Sequence, residues 1–160
     1  MRSRDDAWIA MDRGFKTFMD SLGHLTEEEL TATDVVGAWS VKDVVAHIWS
    51  WADETVQTAK HWQGTRPWQN GVDFDDVWSD KQVQSRSALP LINVVDGLTG
   101  AHRRLMHLLD MAEDEALAQV AKASWGEEMA LVDLFYTMAA HYQEHAVDLK
   151  NYQERCLECD

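Results

Sequence analysis

Long stretches with apolar residues spaced three and four positions apart constrain this fold more than any other feature of the sequence. The four stretches run from about Asp5 to Leu22, from Ser40 to Gly64, from Pro90 to Leu109 and from Glu127 to Gln153. Only two prolines and eight glycines interrupt the 160 residues, which favours long helices over many short strands. No stretch alternates as a strand would. We therefore predict an all-α protein, a four-helix bundle.

Local signals indicate where the helices begin. Ser40 is a good N-cap, and Asp43 stands at the third helical position, where a carboxylate favours the positive end of the helix dipole. Thr26 and Glu29 match a capping box, which predicts a short turn of helix between the first two long ones.

The segment Trp68–Leu89 is the least regular part of the chain. Either Asp73 or Asp75 is a candidate cap for a short helix within it. Long connections in small domains are often functional, so this segment is a candidate cover for a site.

Length and cysteine content predict one domain in a reducing compartment. A chain of 160 residues with 46% hydrophobic residues buries a core without disulfides. We assign residues 1–155 to a single bundle and 156–160 to a frayed, exposed tail that holds both cysteines, Cys156 and Cys159. No apolar signal segment follows the first residues, and we expect a cytoplasmic location.

The net charge of −14 predicts which partners the surface disfavours. A phosphate backbone or an anionic membrane would be repelled, and no cluster of lysine and arginine offsets the acidity. We expect neither a nucleic acid nor a membrane as a partner.

Three histidines lie on predicted inner faces. His141 and His145 are four residues apart, so their side chains point the same way on one helix. His47 lies on the apolar stripe of the second long helix. Buried imidazoles are costly unless their nitrogens are satisfied, and three of them leave room for a water or substrate on a shared metal ion. Hydrogen-bonded core histidines are the alternative interpretation.

The same helix segment also fits the H-x-x-E-H pattern of inverted zinc peptidases, with Glu144 as the base. We reject that interpretation, because those enzymes are much larger and take a third ligand from well downstream. Glu144 is then either a base or hydrogen-bonding partner at the metal site, or a solvated surface residue. We favour the surface residue.

Other polar and aromatic residues are expected to have ordinary roles. Trp49 and Trp51 either line an apolar pocket or pack in the core, and core packing is favoured. Asp53 and Glu54, in the turns after His47, either orient a metal ligand or are solvated surface charges, and the surface role is favoured. The remaining histidines are expected on the surface or in loops: His24, His61, His102 and His107.

The residues around these histidines resemble the DinB-like proteins. The segment from Gly37 to Ile48 is similar to the W-S-x-x-[DE]-x-x-x-H-[IL] opening of that family's second helix, and His141 and His145 match the H-x-x-x-H of its fourth. The resemblance implies an up-down-down-up bundle with a three-histidine metal site, carried over to His47, His141 and His145. It also implies zinc or nickel as the metal and, commonly, a homodimer.

The family includes bacillithiol-dependent S-transferases and mycothiol-dependent maleylpyruvate isomerases. The resemblance therefore implies a metal-dependent enzyme that joins a small electrophile to a low-molecular-weight thiol or to water. A non-catalytic bundle that binds or sequesters a small molecule is the alternative, and a purely structural role is a third.

Overall fold

Four long helices form the core of the fold in a computed structural model that describes residues 2–62 and 73–158. In chain order the elements are α1 (Arg4–Gly23), α2 (Glu27–Thr31), α3 (Val41–Trp62), α4 (Asp76–Ser85), α5 (Leu91–Met111), α6 (Asp114–Leu117), β1 (Val120–Lys122), β2 (Glu128–Ala130) and α7 (Leu131–Glu158). Each of the four predicted stretches contains one long helix: α1, α3, α5 and α7.

Reciprocal hydrogen bonds fix the start of α3 as predicted. The backbone N–H of Ser40 donates to the Asp43 carboxylate at 2.9 Å, and the backbone N–H of Asp43 donates to the Ser40 hydroxyl at 3.2 Å. Thr26 and Glu29 form the same arrangement before α2. Because the cap fixes where α3 begins, it also fixes which residues of α3 face inward.

Helices α3 and α5 run in the same direction. Lys42 donates to the backbone carbonyl of Leu89 at 3.0 Å near the start of both helices. Further along, Arg104 donates to the Asp53 carboxylate at 3.2 Å. Two parallel neighbours need a long connection, and the segment containing α4 supplies it.

Helices α1 and α7 are parallel to each other and antiparallel to α3. Arg2 binds Asp133 at 2.8 Å at one end, and Gln153 donates to the His24 carbonyl at 2.9 Å at the other. The topology is therefore up-down-down-up, as the resemblance implied.

Apolar residues from all four helices fill the interior. The largest fully buried side chains include Tyr142, Phe18, Phe135, Met11 and Ile48. Not every apolar residue spaced along α1 is buried, since Trp8 is 39% exposed.

A short β-hairpin replaces the predicted beginning of the fourth long helix. Strands β1 and β2 are antiparallel, with Val120 opposite Ala130, and Gly126 in the turn has a φ of +100°. Helix α7 consequently begins at Leu131, not near Glu127. The prediction of no strands was wrong here, because two strands of three residues are too short to show alternation.

The C-terminal end of α7 extends into the predicted tail. The helix continues to Glu158, beyond the predicted end at Gln153, and Cys156 packs partly against the core. The tail is therefore not frayed at Cys156, since tertiary packing continues past the predicted boundary; Cys159 lies outside the described residues.

The connection between α3 and α5 confirms one predicted cap. Asp75 precedes α4 and accepts a hydrogen bond from the backbone N–H of Trp78 at 2.9 Å. Residues 63–72 lie outside the described residues; they include the predicted end of the second stretch at Gly64 and residues 68–72 of the irregular segment. Within the described ranges, no helix combines the length and apolarity needed to cross a bilayer.

Candidate metal centre

The structure brings three predicted site residues together at the interface of α3 and α7. The Nε2 atom of His141 lies 3.1 Å from Nε2 of His47 and 3.0 Å from Nε2 of His145. One ring nitrogen from each histidine lies within 4.8 Å of the other two. His47 and His141 are 94 residues apart in sequence, so only the antiparallel packing of α3 on α7 makes them neighbours.

Burial keeps the three imidazoles neutral at pH 7. It lowers the pKa of His47 from 6.5 to about 4, with a further contribution from His145. Burial also lowers the pKa of His141 well below its ordinary value and that of His145 below 6.5. Neutral imidazoles offer the lone pairs that a metal ion requires.

The spacing of these nitrogens fits a shared cation. Nitrogens bound at 2.0–2.1 Å to a tetrahedral zinc are about 3.3 Å apart, close to the two distances around His141. If His141 Nε2 carries a proton, that single N–H group cannot donate a full hydrogen bond to both His47 and His145. Where two of these nitrogens carry no proton, their facing lone pairs repel each other. A metal ion would satisfy all three nitrogens at once.

Asp148 is a partner of this cluster that the sequence interpretation missed. Its carboxylate lies 2.9 Å from Nδ1 of His145. A carboxylate only accepts, so Nδ1 carries the proton and Nε2 presents its lone pair to the centre. Asp148 follows His145 by three residues, which is a neighbouring position on a helix, so this spacing was available as a signal.

Packing rather than hydrogen bonding orients His47. The Trp39 ring lies 4.8 Å from the His47 ring, centroid to centroid. The buried Nδ1 of His47 has no hydrogen-bond partner among the described residues. Trp39 belongs to the motif that suggested the family resemblance, and this contact gives that tryptophan a physical role.

A pocket of about 510 Å³ opens beside His141. Thr55 and Met138 are buried at its base, while Trp51 and His141 are half-buried. The remaining described lining residues are Trp125, Glu127, Thr137, Ala140 and Glu144. A compound in this pocket would therefore reach the histidine cluster from one side.

An aromatic wall centred on Trp51 borders the pocket: Trp51 and Trp125 line the pocket, and Trp78 and Phe74 pack against Trp51. The Trp51 ring lies 4.9 Å from Trp78, 5.5 Å from Trp125 and 5.8 Å from Phe74, centroid to centroid. Trp78 and Phe74 come from the connection before α5, so that irregular segment packs against a residue of the pocket but does not line the pocket within its described part. Both tryptophans considered from sequence pack against the core, as favoured, and Trp51 in addition lines the pocket.

Trp49 instead contacts a charged cluster between α3, α4 and α5. The Arg86 guanidinium lies 4.3 Å from the centroid of the Trp49 ring. The Asp53 carboxylate forms ion pairs with Arg86 at 3.6 Å and with Arg104 at 3.2 Å. Asp53 is a surface charge, as interpreted, since its side chain is 37% exposed, but it is paired with these two arginines rather than fully solvated.

Glu54 is partly exposed, and Glu144 is exposed at the edge of the pocket. Among the other histidines, His24 and His107 are exposed and His61 is half-buried.

His102 is buried, contrary to prediction. Its ring stacks on Phe15 at 3.9 Å between centroids, and its Nδ1 lies 3.0 Å from the Tyr142 hydroxyl. Burial lowers the pKa of His102 from 6.5 to about 4. The missed signal is spacing: His102 follows Leu98 by four residues and precedes Leu105 by three, on the apolar stripe of α5.

The fold and the histidine cluster together define a helical bundle with a candidate metal centre. The chain belongs to the DinB superfamily, whose profile matches residues 10–147. No curated protein sequence matches it.

Solved structures share this fold at low sequence identity. A mycothiol-dependent maleylpyruvate isomerase is 13% identical with a TM-score of 0.78; the match covers 92% of this chain but 61% of the isomerase. YfiT from Bacillus subtilis, described as a probable metal-dependent hydrolase with an unusual four-helix bundle topology, is 16% identical with a TM-score of 0.76, covering 96% and 87% of the two chains.

The colibactin self-resistance protein ClbS, solved in complex with double-stranded DNA, is 13% identical with a TM-score of 0.78, covering 94% of this chain and 95% of ClbS. A protein of this fold therefore can be bound to DNA. The fold thus weighs against the predicted exclusion of nucleic acid, which was argued from the net charge of −14 and from the lack of a lysine and arginine cluster.

Proposed function

We propose that this protein is a metal-dependent enzyme that joins a small electrophile to a thiol or to water, as a transferase, isomerase or hydrolase. His47, His141 and His145 would hold the ion. The observation that supports this most directly is the approach of two imidazole nitrogens to within 3.1 Å of His141 Nε2. One proton on His141 Nε2 satisfies at most one of these two contacts fully, whereas a cation satisfies all three nitrogens.

A bound divalent ion would supply Lewis acidity and would lower the pKa of a coordinated water or thiol. The protein's own contribution is positional. Asp148 keeps the Nδ1 proton on His145, and the aromatic wall around Trp51 would hold the substrate beside His141. The proposal needs no nucleophile from the protein, which agrees with the lack of a cysteine among the described residues of the pocket.

Zinc or nickel is our proposed metal, in line with the resemblance. Three imidazoles also bind iron or copper, so the ligand set alone does not determine which metal is bound. A mycothiol-dependent neighbour supports a low-molecular-weight thiol as cosubstrate.

A binding protein without turnover is the second candidate. The aromatic wall and the pocket of about 510 Å³ favour this role independently of any metal. Replacement of the histidines separates the two proposals: an enzyme loses turnover while its fold persists, whereas a binding protein keeps its ligand affinity.

Metal content and thermal stability test the proposed function. Untagged protein purified without chelators should contain about one zinc or nickel ion per chain. After chelation, zinc at a hundredfold excess over Kd should raise the melting temperature by roughly 5–10 °C.

The same melting experiment on His141→Ala should show almost no shift with zinc, whereas His107→Ala, an exposed control on α5, should respond like the wild type. The proposal would be contradicted if the purified protein contained no metal and if neither zinc nor nickel changed its melting temperature.

Homodimerisation and a cytoplasmic location remain predictions from the resemblance and from the sequence. A small molecule is our proposed partner, since the pocket accommodates one.

A further inference from the structure

The pocket beside His141 has a distinct charge pattern. Among the described residues that line it, the charged ones are both carboxylates, Glu127 and Glu144, and none is lysine or arginine. Both are exposed at the rim, whereas Thr55 and Met138 at the base are buried. The pocket thus changes from apolar at its base, near His141, to anionic at its mouth.

Glu127 is held next to the aromatic wall. The Trp125 indole N–H donates to its carboxylate at 3.3 Å, and the Trp125 ring lies 5.5 Å from that of Trp51. Indole faces attract cations through their negative electrostatic potential, and a neighbouring carboxylate adds to that attraction. Two indoles and two carboxylates around one opening therefore favour a positive charge.

The same arrangement disfavours an anionic compound. A carboxylate-bearing molecule such as maleylpyruvate would place its charge near Glu127 or Glu144, on a chain whose net charge is already −14. The described rim offers it no cationic side chain.

We propose that this pocket selects compounds with a planar aromatic body and a positively charged amine or ammonium group. The aromatic body lies along Trp51, the reacting end points to His141, and the cation stands between Glu127 and Glu144. The placement of the reacting end at His141 rests on the proposed function, whereas the preference for a positive charge depends only on the residues that line the pocket.

Calorimetric titration with two matched probes tests this preference. Benzyltrimethylammonium carries the cation and cannot ligate a metal, and phenylacetate is its anionic counterpart. Both are titrated into the full-length chain, once loaded with zinc and once treated with chelator. We expect the cation to bind at least tenfold more tightly than phenylacetate to the chelator-treated protein.

Charge-neutral variants locate the effect. Glu127→Gln and Glu144→Gln should each weaken the cation two- to fivefold and the double variant about tenfold. Glu128→Gln, an exposed neighbour in β2 that does not line the pocket, is the matched control and should change affinity less than twofold. Circular dichroism verifies that each variant is folded.

Three results would overturn the inference: no binding of the cation, phenylacetate binding as tightly to metal-free protein, or glutamine variants that behave like Glu128→Gln. Its failure is distinguishable from that of the proposed function. If the protein prefers the cation but its melting temperature does not respond to zinc, only the proposed metal-dependent activity is refuted. If the melting temperature responds to zinc but the protein does not prefer the cation, only the proposed selectivity of the pocket is refuted.

Discussion

The Nδ1–H group of His145 donates a 2.9 Å hydrogen bond to the carboxylate of Asp148, one turn further along α7. This bond selects the tautomer whose Nε2 faces His141. It also limits rotation of the ring, because Asp148 is itself half-buried. The carboxylate therefore prepares His145 as a ligand without touching the proposed ion.

Asp148→Ala should lower zinc affinity by about 10- to 100-fold while the protein stays folded, because the carboxylate no longer holds the ring or its tautomer. Competition with a chromophoric chelator measures this affinity. Glu154→Ala removes an exposed carboxylate from the same helix and should leave zinc binding unchanged. Equal affinities for the two variants would show that Asp148 does not orient a ligand.

Gly97→Ala should destabilise the protein by about 1–3 kcal/mol, since overpacking forces rigid groups apart. A Cβ atom at Gly97 would lie 2.5 Å from the ring of Trp49, which Arg86 covers on one face. Gly100→Ala in the same helix is the control, because its Cβ would be 3.6 Å from the nearest heavy atom of Arg104.

That control should stabilise α5 by up to about 1 kcal/mol, because alanine restricts the unfolded chain and glycine does not. Urea unfolding of both variants gives the two values. If Gly97→Ala and Gly100→Ala changed the free energy of unfolding in the same direction, the close contact at Gly97 would be refuted.

Asp53→Ala should cost about 1–2 kcal/mol, because it leaves a largely buried guanidinium without its carboxylate. The Arg86 side chain is 15% exposed, whereas that of Arg104 is 54% exposed. Arg104→Ala should therefore cost less than about 1 kcal/mol, as for exposed ion pairs. Chemical denaturation at low and high salt measures both, and a larger loss for Arg104→Ala would contradict this ranking.

His102 should make stability depend on pH below its ordinary pKa. Burial lowers its folded pKa to about 4, whereas the unfolded chain protonates near 6.5. Its contribution is complete above pH 6.5 and is lost as the pH falls towards 4, because the unfolded state takes up the proton first. Between pH 7.5 and pH 5 the loss should be about 2 kcal/mol.

His102→Gln keeps a hydrogen-bonding group near Tyr142 but does not titrate. Free energies of unfolding in chelator-containing buffer should therefore differ between wild type and variant in a pH-dependent way, with the gap changing below pH 6.5. Parallel pH profiles would show that His102 is not buried in its neutral form.

The sequence predicts the long helices well, because each repeats its apolar spacing over several turns. Ser40 and Asp43 also predict the start of α3 correctly, since capping is a local interaction. The β-hairpin was missed for the opposite reason: its strands contain three residues each, and pairing depends on partners beyond the local pattern. Tertiary packing likewise extends α7 past its predicted end.

Site residues were predictable where helix spacing determines their direction. His141 and His145 share a face, and the apolar stripe of α3 directs His47 inward. The aromatic wall was not predictable, because Phe74 and Trp78 reach Trp51 only through the path of the connection before α5. The ion pairs of Asp53 were not predictable, because Arg86 and Arg104 come from elsewhere in the chain.

The crossover between the parallel helices α3 and α5 carries Phe74 and Trp78, whereas the three histidines belong to α3 and α7. Phe74 and Trp78 pack against Trp51, which lines the pocket. Substitutions in the crossover can therefore turn the Trp51 ring and reshape the pocket while all three histidines stay in place.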